Sequence, residues 1–220
     1  MIVAIDGPAG AGKSTTARAV AARFGWAYVD TGAMYRAIAL IAHENRVLES
    51  DENALADVAQ TLPLQLEENG TRILLEERDV SALIRTREIG ELTSKISALP
   101  RVREKMVELQ RRIARESENS CGGAVLEGRD IQTVVFPDAE IKVFLTAESS
   151  TRSARRLEQW NDAVLSVEDA RRDIEKRDAR DSSRETSPLR AAADAVMVST
   201  DNLSPNEVVE QIAQLIQQKL

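Results

Sequence analysis

Residues Gly7-Pro8-Ala9-Gly10-Ala11-Gly12-Lys13-Ser14 spell G-x-x-x-x-G-K-[ST] in full, and Thr15 follows. That spacing is a phosphate cradle. Glycines let the backbone curl until successive N–H groups point at phosphate oxygens, and a helix start behind them adds a favourable dipole. Lys13 is spaced to reach the β- and γ-phosphates of ATP, and the Ser14 hydroxyl to ligate Mg²⁺. The motif carries meaning only between a strand and a helix. Here the apolar run Ile2-Val3-Ala4-Ile5 precedes it, and a helical pattern runs from Lys13 to about Phe24.

A second constellation lies late in the chain. Arg177, Arg180, Asp181 and Arg184 fall at i, i+3, i+4 and i+7, one face of a helix. They are either a phosphate-handling wall or a salt-bridged solvated face. The Arg-, Asp- and Ser-dense stretch 178–188 is correspondingly a mobile linker or a charged site wall. Thr31 and Gly32 put backbone N–H groups at the start of a helix running to about Glu44, a natural anion seat. The plainer reading makes Thr31 that helix's N-cap. His43, the only histidine, sits late in the same helix and needs no catalytic role. Trp26 and Trp160 read as packing residues, and Cys121 as incidental.

The elements that must position these groups alternate. Short apolar runs at 26–29, 124–126, 141–145 and 195–198 read as buried strands separated by helical stretches, the pattern of a parallel α/β sheet. Between about 62 and 80 the pattern changes. Leu64, Leu66, Ile73, Leu74 and Leu75 flank Asn69-Gly70, which predicts an inserted antiparallel hairpin. Ser166 with Asp169, and Ser204-Pro205-Asn206-Glu207, read as capping boxes that open the last helices.

Composition excludes other classes. The 220 residues are 43% hydrophobic and 30% charged, enough for one α/β domain. The formal net charge of -7 argues against nucleic acid as a main partner. A small anionic substrate still fits if basic residues converge locally. The single cysteine rules out an intrachain disulfide and fits a reducing, cytoplasmic setting. No apolar run approaches the roughly 20 residues of a bilayer span. The strand-like start at Ile2 leaves no room for a targeting segment. No Asn-Lys-x-Asp guanine reader is present, which argues against GTP switches.

Taken together, the sequence resembles the bacterial cytidylate kinases of the nucleoside monophosphate kinase superfamily over nearly its whole length. The resemblance rests on 6–15, on Asp30-Thr31-Gly32-Ala33-Met34-Tyr35-Arg36, on Asp79-Val80-Ser81 with Ile84-Arg85-Thr86, and on Pro100-Arg101-Val102-Arg103. It continues through Glu127-Gly128-Arg129-Asp130, 133–139 and Arg177-Asp178-Ala179-Arg180-Asp181. It implies a single P-loop domain: a parallel five-stranded core sheet from about 1–30, 120–150 and 190–220; an acceptor-binding lobe over about 31–118 with a small antiparallel β insert at about 62–82; and a short helical lid over about 151–165. It implies transfer of the ATP γ-phosphate to CMP or dCMP with Mg²⁺, by a monomer.

The resemblance also implies residue roles. Thr31, Arg36 and Arg129 match acceptor-phosphate positions, and Arg184 a further phosphate contact. Ser94, Arg103 and Asp130 match cytosine-reading positions, although Asp130 read alone could simply be the ion-pair partner of Arg129. Arg177 and Asp181 match positions at the acceptor sugar. Arg152, Arg155 and Arg156 match lid arginines that close over ATP. Two departures stand out. Gln132 replaces the family's usual glycine, where a side chain either crowds the phosphates or adds a hydrogen bond, and Gln132→Gly is expected to be tolerated. The stretch 159–163 lacks the glycine common in the lid. Two other readings compete: a nucleotide-dependent switch or regulatory ATPase, and a kinase whose acceptor is UMP or another small metabolite.

Overall fold

The computed structural model describes residues 1–67, 70–160 and 166–220. Five strands form a parallel sheet: β1 (Ile2–Asp6), β2 (Ala27–Asp30), β6 (Ala124–Gly128), β7 (Ile141–Thr146) and β8 (Val196–Ser199). Their order is β2-β6-β1-β7-β8. β1 pairs with β6 from Ile2↔Ala124 to Asp6↔Gly128, and with β7 from Val3↔Ile141 to Asp6↔Phe144. Both faces of the sheet are covered, which is why its inner strands read as unbroken apolar runs. Side chains alternate along β1. Ile2 and Ala4 enter a core shared with α2 (Thr31–Glu44), α3 (Glu52–Gln60) and α5 (Pro100–Cys121); Val3 and Ile5 enter one shared with α1 (Lys13–Phe24) and α8 (Pro205–Gln217).

β8 departs from the buried strand expected there. Val196 and Met197 are 42% and 56% exposed, and Val198 alone of its apolar residues is buried. It ends the sheet and pairs only with β7. The other outermost strand, β2, has the same length yet keeps Tyr28, Val29 and Asp30 buried, so the exposure reflects thinner cover over β8 and not its edge place alone.

The insert is an antiparallel sheet of three strands, one more than a hairpin: β3 (Leu64–Glu67), β4 (Arg72–Leu75) and β5 (Arg78–Asp79). Leu64 pairs with Leu75 and Leu66 with Ile73. Asn69 of the expected turn lies outside the described residues, as do 161–163 of the glycine-free lid stretch. β5 is two exposed residues, too short for a sequence signal. α4 (Arg87–Ile96) follows.

The capping signals hold. Ser166 and Asp169 form a reciprocal box opening α7 (Val167–Ser183), and Ser204 and Glu207 form one opening α8 behind Pro205. Each such cap contributes about 1 kcal/mol. α7 continues through Ser183, so most of the Arg-rich stretch is helix wall rather than linker. At α2 the cap is Asp30 and not Thr31: the Asp30 carboxylate accepts the Ala33 N–H at 2.8 Å. This frees Thr31, whose Oγ1 donates to the Glu127 carbonyl at 2.6 Å.

Gln132 is buried in the π-helical turn Ile131–Val135. Its Oε1 accepts the Ala192 N–H at 3.0 Å, and its Nε2 donates to the Val143 carbonyl at 3.4 Å. The side chain thus adds hydrogen bonds, and neither contact is to the P-loop. The expectation that Gln132→Gly is tolerated is corrected accordingly. Glycine would strand the Ala192 N–H and leave a void, a loss of about 1–3 kcal/mol. Among the described residues, no helix is long and apolar enough to cross a membrane.

Candidate active site

The phosphate loop runs from β1 into α1, as its sequence requires. Gly7 has φ +152°, and a Cβ there would lie 2.2 Å from the Leu145 carbonyl oxygen. Gly10 has φ +77°, and a Cβ would lie 2.9 Å from Cβ of Arg152. Both positions therefore need glycine for conformation and for space. Lys13 is buried, and its Nζ donates back to the Pro8 carbonyl at 2.7 Å. Burial, then the Arg129 guanidinium, push its ammonium below its ordinary pKa, with Glu127 opposing.

Asp6, the residue before the loop, is fully buried. Its two carboxylate oxygens accept the N–H groups of Ile131 and Gln132, at 3.1 and 2.9 Å. Burial raises its pKa to about 6 despite those hydrogen bonds. The first residue of the donor loop's flank thereby anchors the turn that follows Arg129 and Asp130.

A cavity of about 170 Å³ opens between the loop and the acceptor-side helices. Lys13, Thr31, Arg36, Ser94, Arg103, Arg129, Asp130, Arg177, Asp181 and Arg184 all line it. Residues from six separate stretches of sequence thus meet in one place. A second cavity of about 520 Å³ shares Ser14, Asp30, Arg36, Arg156 and Arg177 and is walled by Arg85, Lys176 and Arg180. In an acidic protein this is a concentrated basic surface, the setting that attracts a polyanion.

The pairing inside the cavity is specific. Asp181 takes the Nε of Arg129 at 2.8 Å and Nη2 of Arg184 at 2.6 Å. Burial would raise its pKa, but Arg129, Arg184 and Arg177 outweigh that and hold it below the usual range. Asp130 pairs with Arg103, and this buried ion pair replaces the Arg129 partnership considered above. The reason is direction: Arg129 turns toward α7, where Asp181 meets it. Arg103 Nη1 also donates to the Ser97 carbonyl at 2.8 Å, and its guanidinium lies 5.7 Å from the Tyr35 ring centroid. Ser94 Oγ accepts from Arg180 at 3.1 Å, and Ser97 Oγ from Arg184 at 3.0 Å.

Arg36 and Arg177 have no hydrogen bond or ion pair with other described residues. Burial, then the neighbouring guanidiniums of Arg129 and Arg36, lower Arg177 to about 9. Burial, then Arg156 and Arg85 against an opposing Asp30, lower Arg36. Three further buried polar atoms on this wall lack a partner: Tyr35 Oη, Arg103 Nε and Arg184 Nε. Buried donors without acceptors are costly unless a ligand supplies them.

The lid arginines divide. Arg156 lines both cavities and is paired with Asp173 at 3.1 Å. Arg152 and Arg155 grip the back of the phosphate loop instead. Arg152 Nη1 donates to the Ala9 carbonyl at 3.1 Å and pairs with Asp178. Arg155 donates to the Thr200 carbonyl at 2.9 Å, to Thr200 Oγ1 at 2.8 Å and to the Gly10 carbonyl at 3.4 Å.

Sequence reasoning missed Glu127, Tyr35 and Ser97. Glu127 ends β6 beside the loop, accepts from Tyr28 Oη at 2.5 Å, and is hydrogen-bonded with the Ser14 side chain. Burial, then Asp30, raise its pKa, with Lys13 opposing. The signal was present, since a carboxylate at the end of a strand neighbouring the loop strand is where a Mg²⁺-side acid belongs. The Ser14 hydroxyl and the Glu127 carboxylate are the hard oxygen donors Mg²⁺ prefers. Among the described residues no group of three acidic, His or Cys side chains could hold a metal alone.

The chain is similar over its whole length to known proteins of one family. A family model described as cytidylate kinase matches residues 3–218. A cytidylate kinase of Lactobacillus gasseri is 47% identical over 223 residues, covering 100% of this chain and 95% of that protein. One of Carboxydothermus hydrogenoformans is 45% identical over 223 residues, covering 100% and 98%. The crystal structure of an uncharacterized protein from Eubacterium ventriosum superposes with a TM-score of 0.54 at 12% identity, over 99% of this chain and 98% of that one, a likeness of fold alone.

Proposed function

The chain belongs to the cytidylate kinase family, and on that premise we propose how its own residues carry the reaction. The protein is an ATP-dependent nucleoside monophosphate kinase that moves the γ-phosphate of ATP to CMP or dCMP. Residues 7–15 hold the donor phosphates, with Lys13 swinging from the Pro8 carbonyl onto the β- and γ-phosphates. Ser14 and Glu127 would hold Mg²⁺ arriving with the nucleotide, and the ion would neutralise charge on the phosphates.

The acceptor phosphate enters among Thr31, Arg36 and Arg129, with Arg184 as a further contact. This is supported by the Arg36 guanidinium, which has no hydrogen bond or ion pair with other described residues and which a dianionic phosphate would satisfy. The base is read by Ser94, Arg103 and Asp130. Asp130, paired through one oxygen, has the other available for the N4 amino group of cytosine. Uracil would set a carbonyl against that carboxylate. Arg177 and Asp181 take the sugar side. Arg156 supplies the cation for the transferring phosphoryl group. Arg152 and Arg155 act through the loop backbone they hold.

The reading also divides the chain into a core sheet, an acceptor-binding part bearing the β insert, and a lid around α6 (Ser149–Trp160). It takes the protein to be a cytoplasmic monomer, in keeping with its lone exposed cysteine. The observation that carries it is the meeting, in one cavity, of a complete phosphate loop with the half-buried guanidiniums of Arg36 and Arg177, which have no hydrogen bond or ion pair among the described residues. A coupled assay across AMP, GMP, CMP, UMP and dCMP tests it. Turnover should be highest with CMP or dCMP, and ATP consumption indifferent to CMP would overturn it.

A further inference from the structure

α7 carries residues of the acceptor site on one side and touches the donor loop with another. Arg177 and Asp181 line the cavity, and Arg184 follows as the helix's C-cap. Asp178, one residue after Arg177, faces the loop. Its Oδ1 accepts the Ala9 N–H at 3.2 Å, and its Oδ2 pairs with Arg152. Arg152 in turn donates to the Ala9 carbonyl at 3.1 Å and, through Nε, to the Ala147 carbonyl at 3.1 Å. The Ala9 peptide is therefore held at both ends, its N–H by a carboxylate and its C=O by a guanidinium, and those two groups hold each other.

This clamp is built rather than incidental. Side chains of Arg152 and Asp178 are only 12% and 20% exposed, so the pair is largely shielded from solvent screening. Gly10 admits α6 so closely that its missing Cβ would clash with Arg152. No other described carboxylate hydrogen-bonds a backbone N–H within residues 7–12.

We propose that Asp178, with Arg152, is a positioning pair that makes occupancy of the acceptor site and occupancy of the phosphate loop depend on one another. This rests on the kinase reading above. CMP engages Arg177, Asp181 and Arg184 and fixes α7. Asp178 sits within the same helical turn, so fixing α7 fixes Ala9 and with it the curl of the loop. The donor nucleotide then meets a loop already ordered. The coupling is reciprocal, because the two binding free energies are linked.

ADP and CMP together form a dead-end pair, since ADP lacks the phosphoryl group to transfer, so binding can be measured without turnover. Titration calorimetry of ADP with Mg²⁺, without and with saturating CMP, gives the coupling factor. In the wild type CMP should tighten ADP at least about fivefold. Asp178→Ala should bind each ligand alone and lose more than half of that factor. Asp178→Asn keeps an acceptor for the Ala9 N–H and should fall between. If circular dichroism shows Asp178→Ala unfolded, Arg152→Gln decides by the same threshold. A smaller loss, or a wild-type factor within about twofold of one, overturns the coupling. Failure of the wild type to bind CMP at all would instead overturn the kinase reading.

Discussion

The two halves of the site treat their polar groups in opposite ways. On the donor side nearly every charge is spent within the protein: Lys13 on the Pro8 carbonyl, Arg155 on Thr200 and Gly10, Arg152 on Ala9 and Asp178. On the acceptor side Arg36 and Arg177 have no hydrogen bond or ion pair with other described residues, and Tyr35 Oη, Arg103 Nε and Arg184 Nε are buried and unmet. A loop of glycines cannot hold a shape unaided, so its neighbours must hold it. The acceptor wall stands on helices that hold themselves, so its donors can be left for the ligand. The difference locates stability on one side and unspent binding energy on the other.

The largest expected effect tests the donor half. Lys13→Ala should keep the fold by circular dichroism and lose transfer activity by on the order of 10³-fold, because the cation at the β- and γ-phosphates is gone. Turnover above about a tenth of wild type would remove Lys13 from that role, since tenfold is only about 1.4 kcal/mol.

The next probes the seam between the halves, where Asp6 holds the turn after Asp130. Its folded pKa of about 6 lies above the ordinary 3.8. The native state therefore holds this proton more tightly than the unfolded chain. The resulting stabilisation is complete below about pH 4 and is lost as pH rises through about 6, on the order of 3 kcal/mol in all. Urea melts of wild type and Asp6→Asn between pH 4 and 7 should show the wild type losing ground to the variant as pH rises. A difference independent of pH would mean that Asp6 stays ionised throughout.

On the acceptor half, Asp130→Asn should narrow the CMP-to-UMP ratio of kcat/KM by about tenfold, roughly 1.4 kcal/mol, because an amide can turn its NH₂ toward O4 of uracil. An unchanged ratio would leave Asp130 as no more than the counter-ion of Arg103.

The smallest effect separates the halves most directly. Arg155→Ala should lower stability by about 1 kcal/mol, stranding the Thr200 carbonyl. Arg177→Ala should raise it by about 1 kcal/mol, since it removes a buried cation crowded by Arg129 and Arg36 while impairing catalysis. Melting temperatures that move in the same direction for both variants would erase the contrast drawn here.

Much of this was legible in the sequence because motif and context coincide. The loop, its flanking strand and helix, both capping boxes and the parallel sheet follow from spacing and periodicity. The partnerships do not. Thr31 and Asp30 are both good caps, and only the approach of the Glu127 carbonyl decides which one serves. Asp130 adjoins Arg129 in sequence, yet it meets Arg103 across the fold. The sequence leaves Gln132 either crowding the phosphates or adding a hydrogen bond; the choice falls to the hydrogen bond through Ala192, a residue no local pattern connects to it. β8 has the composition of an inner strand, and nothing local in it shows that Val196 and Met197 lie uncovered at the edge of the sheet.

The pairing of β1 bears on how the molecule is born. The strand that launches the phosphate loop has no neighbour before Ala124, its other neighbour begins at Ile141, and Gly7 is seated against Leu145. Chains emerge from the ribosome N-terminus first, at roughly 5–20 residues per second. The motif therefore waits for its sheet partners until the chain has been made past Ala124 and then Ile141, and such distant pairings are slow to close. During that interval the loop has no sheet to shape it and cannot hold a nucleotide, so ATP can assist the late stages of folding only after β6 and β7 have joined the sheet.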